Sequence, residues 1–335
     1  MVLIEELKNN VIYSTIVEYT EGPHMFKEWL KLVREKCPYA TSIDCRNNGL
    51  TELYCTGMHD IYCDDNELKH IVTDAKRLWC DNNKLISIVA PDAIAISCDN
   101  NLLESIYCPK VYCLRCDNNR LVHLTLPIAS TIHCDNNLLS HLYAPNVSKL
   151  TCKNNCLREL DIPYARIVEC SDNKLVNLNC PLVTKLSCSN NMLATLNLPL
   201  VKYLLCDNNK LTSIDCPVLE ELSCNNNQLE YLSLGNLREL VCVNNKLTKL
   251  DCPKLEFLGC RDNQLTELDA TNIKKLDCCN NLLTELICNK AELLMCDGNP
   301  LEYVKCLVDT KLYINLSMSQ TIIEQRGLLQ NHQQE

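Results

Sequence analysis

Twenty-six cysteines in 335 residues are the first candidates for chemistry, because a thiolate can attack, ligate a metal or oxidise. Cys113-x-x-Cys116 has the spacing of a redox or zinc pair, Cys278 and Cys279 are adjacent, and Cys306-Leu-Val-Asp309, with a thiol three residues before a carboxylate, has a faint likeness to a ligase nucleophile. Yet fifteen of the cysteines, from Cys45 to Cys296, recur every eighteen residues, with one step of seventeen between Cys63 and Cys80. Such regularity assigns them one repeated structural job. Three residues along a strand place Cys113 and Cys116 on opposite faces, and Cys278 and Cys279 diverge for the same reason. Cys306 is simply a recurring slot of the last repeat. Rungs about 4.8 Å apart would bring successive thiols close, but parallel side chains resist the disulfide dihedral. The ladder therefore reads as reduced, buried thiols, with the reducing compartment that this implies.

No other constellation rises to catalysis. The histidines follow no metal spacing: His133 is a display residue, while His59, His70, His123 and His141 fall in turns or on strand flanks. Asp297-Gly298-Asn299 is a repeat turn and not a phosphate loop. A non-enzyme without metal or cofactor is the expectation.

Each slot of the repeat has a position relative to its cysteine. An aliphatic stands two before, as at Leu114, Leu150 and Leu222; asparagine stands three after and leucine five after in all fifteen copies. Another aliphatic lies eight after, and proline eleven after in nine copies, from Pro91 to Pro253. Residues two apart on a strand share a face, so the aliphatic and the cysteine point inward from short parallel strands. The asparagine, with donor and acceptor, can satisfy the backbone where the chain turns. The proline belongs to an extended, polyproline-like return path on which no helix fits. The seventeen-residue step loses its residue between Ile71 and Leu78, within that path. Cysteine recurs every 36 residues at the slot ten after, as at Cys180, Cys216, Cys252 and Cys288, suggesting duplication of repeat pairs.

The ends depart from the pattern. Residues 1–42 read as an N-terminal cap with a degenerate first repeat: Phe26, Trp29, Leu30 and Val33 recur at helical spacing after Gly22-Pro23, Leu32 matches the leucine slot, and Cys37-Pro38 and Ala40 sit at repeat phase. Residues 43–306 form the array. Residues 307–335 are the C-terminal cap and tail, with Lys311 to Leu316 alternating like an edge strand and Ser319 to Leu328 predicted as a short helix. Acidic residues near the N-terminus and the lack of a long apolar run argue against export and membrane insertion. A cytoplasmic, monomeric protein is expected. Net charge −10 opposes phosphate backbones, which excludes nucleic acid and favours a protein with a basic surface.

The frame Val201-x-x-Leu204-x-Cys206-x-x-Asn209-x-Leu211 resembles the LxxLxLxxNxL segment of leucine-rich repeats, with cysteine in the third leucine slot. The short period and proline are similar to those of secreted bacterial effectors, and the Cys-Asp-Asn-Asn form is similar to repeat proteins of giant DNA viruses and protists. The resemblance implies a right-handed β-rich solenoid with one parallel sheet on a concave face that binds another protein, almost no helix in the repeats, and short helical caps. The cysteine-rich caps of the extracellular branch are missing, and no catalytic domain follows the array as in effector ubiquitin ligases. A scaffold that recruits such an enzyme is the rival reading.

Positions three before, one before and one after each cysteine should face out on that concave surface. Tyr62, Trp79, Arg115 and His133 then line its N-terminal half; Tyr203, Leu205, Val241, Phe257 and Met295 give the C-terminal half an apolar streak. The slot one after is acidic in five successive rungs, Asp64, Asp81, Asp99, Asp117 and Asp135. These carboxylates could be solvated acceptors for the turn, an acidic stripe for a basic partner, or a cation site.

Overall fold

A computed structural model describes residues 16–20, 22–37, 39–307, 309–313 and 322–326. The chain is a parallel-strand β-solenoid of about fifteen turns, divided into two compact units: one runs to Ala165 and includes Asp172–Asn179, the other comprises Arg166–Ser171 and Cys180 onward.

In the first unit the principal strands are three residues long and end one residue before each cysteine, as in Asp60–Tyr62, Arg77–Trp79, Ala95–Ser97, Cys113–Arg115 and Thr131–His133. Each pairs in parallel with its counterpart one repeat on: Ile61 opposes Leu78, Leu78 opposes Ile96, and Ile96 opposes Leu114. The second unit repeats the arrangement from Ile167–Glu169 to Lys311–Tyr313. Central aliphatic and cysteine face inward as the two-residue spacing requires, and the fifteen periodic cysteines from Cys45 to Cys296 are buried. All twenty-six cysteines are free thiols. Burial pushes Cys55, Cys108, Cys180 and Cys216 up to about 12 and holds ladder members such as Cys80 well above the ordinary thiol range. A protonated thiol can donate, and Cys80 Sγ reaches the Ser97 carbonyl at 3.3 Å while Cys206 Sγ reaches that of Ser223 at 3.3 Å.

The asparagine column carries the turns. Asn137 Nδ2 donates to the carbonyls of Cys116 (2.9 Å), Cys134 (3.2 Å) and Asp135 (3.2 Å), and its Oδ1 accepts the Leu121 N–H at 3.0 Å. Asn227 does the same in the second unit, with Cys206, Cys224 and Asn225 as acceptors and the Leu211 N–H as donor. One side chain thus satisfies backbone groups of two rungs that neither could satisfy itself. The residue before it has φ near +55° throughout, from Asn47 to Asn280. Asn and Asp tolerate this left-handed region better than other side chains, and they form an exposed amide ladder of their own, Asn118 Nδ2 to Asn100 Oδ1 at 2.8 Å and Asn226 Nδ2 to Asn208 Oδ1 at 2.8 Å.

Several expectations change. Beside the expected principal sheet, the aliphatic eight after the cysteine centres an unforeseen second strand, so that Ser87–Val89 pairs with Ser105–Tyr107, and Tyr231–Ser233 with Lys249–Asp251. Proline does not lie on extended backbone. It occupies the second position of a tight turn closed by Val111 N–H to Cys108 O at 3.1 Å and Leu219 N–H to Cys216 O at 3.2 Å, where its fixed φ fits. The short repeat loses its residue as expected, since Val72 still opposes Val89 and Arg77 still opposes Asp60.

At the N-terminal end the strand Ile16–Glu18 pairs with Ser42–Asp44, and Tyr19 takes the cysteine slot. The helix Phe26–Lys36 forms as its spacing predicts, packing Phe26 and Trp29 against Tyr19 at ring separations of 5.2 and 4.9 Å. Leu32 lies in this helix and not in a leucine slot, whereas Ala40 N–H to Cys37 O (3.0 Å) already closes the repeat's tight turn. At the other end, Ile322–Arg326 is a strand paired in parallel with Tyr303–Leu307, correcting the predicted helix. Unpaired strand edges offer backbone partners, and the β-branched Ile322 and Ile323 suit that use. Residues 319–321, 327 and 328 of that expected helix, and the tail beyond, lie outside the described residues.

Candidate protein-binding face

The outward side chains of the principal strands differ between the units. In the first, Tyr62 and Trp79 stack in parallel, centroids 4.5 Å apart and planes 9° from coplanar. Arg46 lies 5.7 Å from the Tyr62 ring centre and Arg77 5.8 Å from that of Trp79, within cation–π range. Both guanidiniums are anchored: Arg46 to Asp44, and Arg77 through two hydrogen bonds to Asp60 at 2.7 and 2.6 Å. Arg77 holds the Asp60 carboxyl below its ordinary range. Farther on, Arg115 donates twice to Asp99 Oδ2, at 3.2 and 3.0 Å. His133 Nδ1 lies 3.2 Å from Thr151 Oγ1; burial, then the charges of Arg115 and Lys149, lower its pKa.

The acidic positions form a continuous backbone-linked ladder. Asp64 Oδ1 accepts the N–H of Asp81 (2.8 Å), Asp81 that of Asp99 (2.6 Å), Asp99 that of Asp117 (2.7 Å), Asp117 that of Asp135 (2.7 Å) and Asp135 that of Lys153 (2.7 Å). The carboxylates do accept hydrogen bonds, but from the equivalent residue one rung on rather than from their own turn. They are half-buried or, at Asp99, buried. Burial raises Asp64 and Asp81 and, with the neighbouring charges of Asp99 and Asp135, pushes Asp117 up to about 6. No group of three or more potential metal ligands occurs among the described residues.

In the second unit the same slot holds Ser189, Asp207 and Asn225, which accept the N–H groups of Asp207 (3.1 Å), Asn225 (2.7 Å) and Val243 (2.7 Å). The predicted apolar residues do face outward: Tyr203 is 40%, Leu205 50% and Phe257 36% exposed, and Val241 and Met295 are half-buried. Phe257 directly opposes Glu239 on one side and Lys275 on the other, so charges interrupt the streak.

Of the sulfur pairs, Cys113 is half-buried on the outward face and Cys116 fully buried, as strand alternation requires. A second set of outward residues escaped the reading because the second strands were not foreseen. Nine after the cysteine, Tyr54, Val72, Val89, Tyr107 and Tyr143 form an exposed column in the first unit, with Tyr54 66% and Tyr107 58% accessible. The matching slots of the second unit are mostly polar, as at Asn197, Asp215, Ser233 and Asp251, with Ile287 the apolar exception. Alternation across the second aliphatic would have revealed them.

Buried asparagine and aliphatic columns under parallel strands define the leucine-rich repeat fold, and solved structures agree. YopM, a leucine-rich effector protein from Yersinia pestis, shares it with a TM-score of 0.61 at 22% identity, covering 97% of this chain and 98% of that one. The functional domain of InlJ from Listeria monocytogenes, which includes a cysteine ladder, gives 0.60 at 23% over 81% and 75%. The plant peptide hormone receptor RGFR1 in complex with RGF2 gives 0.57 at 14% over 91% and 65%. The chain therefore has the leucine-rich repeat fold. No protein-family model matches it, and no curated protein matches it in sequence.

Proposed function

We propose that this chain is a non-enzymatic scaffold that captures a protein on the outward face of its principal strands, the side expected to be concave. The supporting observation is the carboxylate ladder. Its structural task is to accept one backbone N–H per rung, and Ser189 and Asn225 do that without charge. Five aspartates in register bring like charges together, which is unfavourable, and burial lifts three of them. The charge serves display, and a partner with a basic surface complements it. The apolar residues of the second unit supply anchoring contacts of the kind that dominate binding energy. A receptor of the same fold is solved with a peptide partner, in keeping with protein capture. The free thiols suit a reducing, cytoplasmic setting, and the chain acts as a monomer. Among the described residues no helix is long and apolar enough to cross a membrane.

Affinity capture tests the reading. Asp64→Asn, Asp81→Asn and Asp117→Asn together keep the Oδ1 that accepts each rung's backbone N–H and remove three charges. The captured partner should bind at least tenfold more weakly at low salt, with an unchanged circular dichroism spectrum. Unaltered capture by this variant and by a Tyr203→Ala, Phe257→Ala variant would refute the face. Enzymatic activity in the captured complex, ubiquitin transfer for example, would favour the recruitment role.

A further inference from the structure

Eighteen residues is no ligand spacing on an isolated strand, but in this solenoid it is one rung. His123 and His141 open the second strands His123–Thr125 and His141–Tyr143, which pair in parallel so that the two histidines oppose each other directly. Leu124 is buried beneath the first strand, and by alternation both histidines project outward, where they are exposed. Their ring centres lie 5.1 Å apart with planes tilted by 38°. Neither strand carries Asp, Glu, Lys or Arg, so the pair is not drawn together by a charged neighbour on its own rungs, and no fixed cation stands on them.

The separation suits two imidazoles that share one ion. A divalent metal about 2.1 Å from one nitrogen of each ring lies about 3.2 Å from each ring centre, so bond angles of about 90–110° put the centres about 4.5–5.2 Å apart. A second observation sets the tautomer. Ser140 Oγ donates to the Val122 carbonyl at 3.4 Å and lies 2.9 Å from His141 Nδ1. With its hydrogen directed at Val122, the hydroxyl accepts from His141 Nδ1–H, which leaves Nε2 unprotonated and able to ligate. Metal-bound histidines are oriented in this way, by a partner on the other ring nitrogen. We infer that His123 and His141 form a two-histidine site for a divalent transition metal of the Ni²⁺, Cu²⁺ and Zn²⁺ class, which imidazole suits. Calcium and magnesium take oxygen ligands and do not match this donor set. Because no group of three or more potential ligands occurs among the described residues, the remaining coordination positions face solvent and are filled by water or by a ligand from another molecule. The site lies on the second strands and does not depend on protein capture by the principal ones.

Calorimetric titration of the full chain with Ni²⁺, its thiols kept reduced by a phosphine, tests the site. His123→Gln and His141→Gln should each lower the affinity at least tenfold. Both side chains project from the fold, so the circular dichroism spectrum should not change. His70→Gln is the control: His70 holds the same slot three rungs away, beside Ser87 Oγ at 3.0 Å, and its loss should leave Ni²⁺ binding as it was. Ni²⁺ should also raise the thermal midpoint of the native chain and not that of the His123 and His141 variants, since an ion that binds only the folded state stabilises it. Absence of binding, or binding indifferent to either change, would overturn the site. Ni²⁺ held by the half-buried thiols of Cys113 and Cys156 would survive both changes and would equally count against it.

Discussion

The two units use one backbone frame to present different chemistry. In the first, the outward face is ionic and aromatic: anchored arginines, a stacked Tyr62–Trp79 pair and an unbroken aspartate ladder. In the second, the ladder slot passes from Ser189 through Asp207 and Asn225 to Val243, where no side-chain oxygen remains to accept, and Leu205 and Phe257 stand exposed. The contrast separates what the rung needs from what it displays. The rung needs an inward aliphatic, a buried small residue and a bridging asparagine, and these recur in both units. It does not need charge one after the cysteine, because principal strands pair equally well on either side of Val243.

That distinction can be broken most forcefully at the frame. Asn137→Ala and Asn227→Ala each strand a buried leucine N–H and several carbonyls, and each should cost about 1–3 kcal/mol by chemical denaturation. Similar losses in both units are expected; a much smaller loss in one would show that its turns find other partners. The ladder gives a smaller effect of opposite sign. The folded-state pKa of Asp117, about 6, lies above its ordinary value near 3.9. Its contribution to stability is therefore full below pH about 4 and is withdrawn as pH rises through about 6. Asp117→Asn should raise stability at pH 7 by about 0.5 kcal/mol and make no difference at pH 4, while Asn225→Asp should lower it at pH 7. Thermal melts across that range give the answer. Smallest in energy but sharpest in contrast is thiol labelling of the native protein. The half-buried Cys113 and Cys156 should react with maleimide within minutes, Cys252, whose thiol burial pushes up to about 11, more slowly, and the ladder cysteines only after denaturation. Rapid native labelling of Cys116 or Cys206 would contradict the buried column.

The exposed column of Tyr54, Tyr107 and Tyr143 extends the contrast to the second strands. Its polar counterparts in the second unit, Asp215 and Asp251, show that residue type at this slot is likewise free of the frame. Display is what the repeat leaves unconstrained on both ladders.

By itself the sequence determined the rung. A period of eighteen with invariant cysteine, asparagine and leucine names which side chains point inward, because each slot faces the same neighbours in every repeat and only one direction satisfies them all. It also placed the outward residues Tyr62, Trp79, Arg115, Leu205 and Phe257 correctly, since their facing follows from strand alternation. The left-handed residue before each asparagine was legible too, as Asn or Asp in nearly every copy, though its exposed ladder depends on contacts between rungs. Tertiary structure alone decided the second strand, the prolyl turn, Tyr19 in a cysteine slot and the pairing of Ile322–Arg326. It also chose the backbone N–H one rung on as the partner of each aspartate. Apart from the prolyl turn, which closes between residues three apart, these are contacts between residues some eighteen positions or more apart, or sit at ends where the period lapses. A periodic sequence says that such neighbours exist, but which atoms meet depends on how the chain closes each turn.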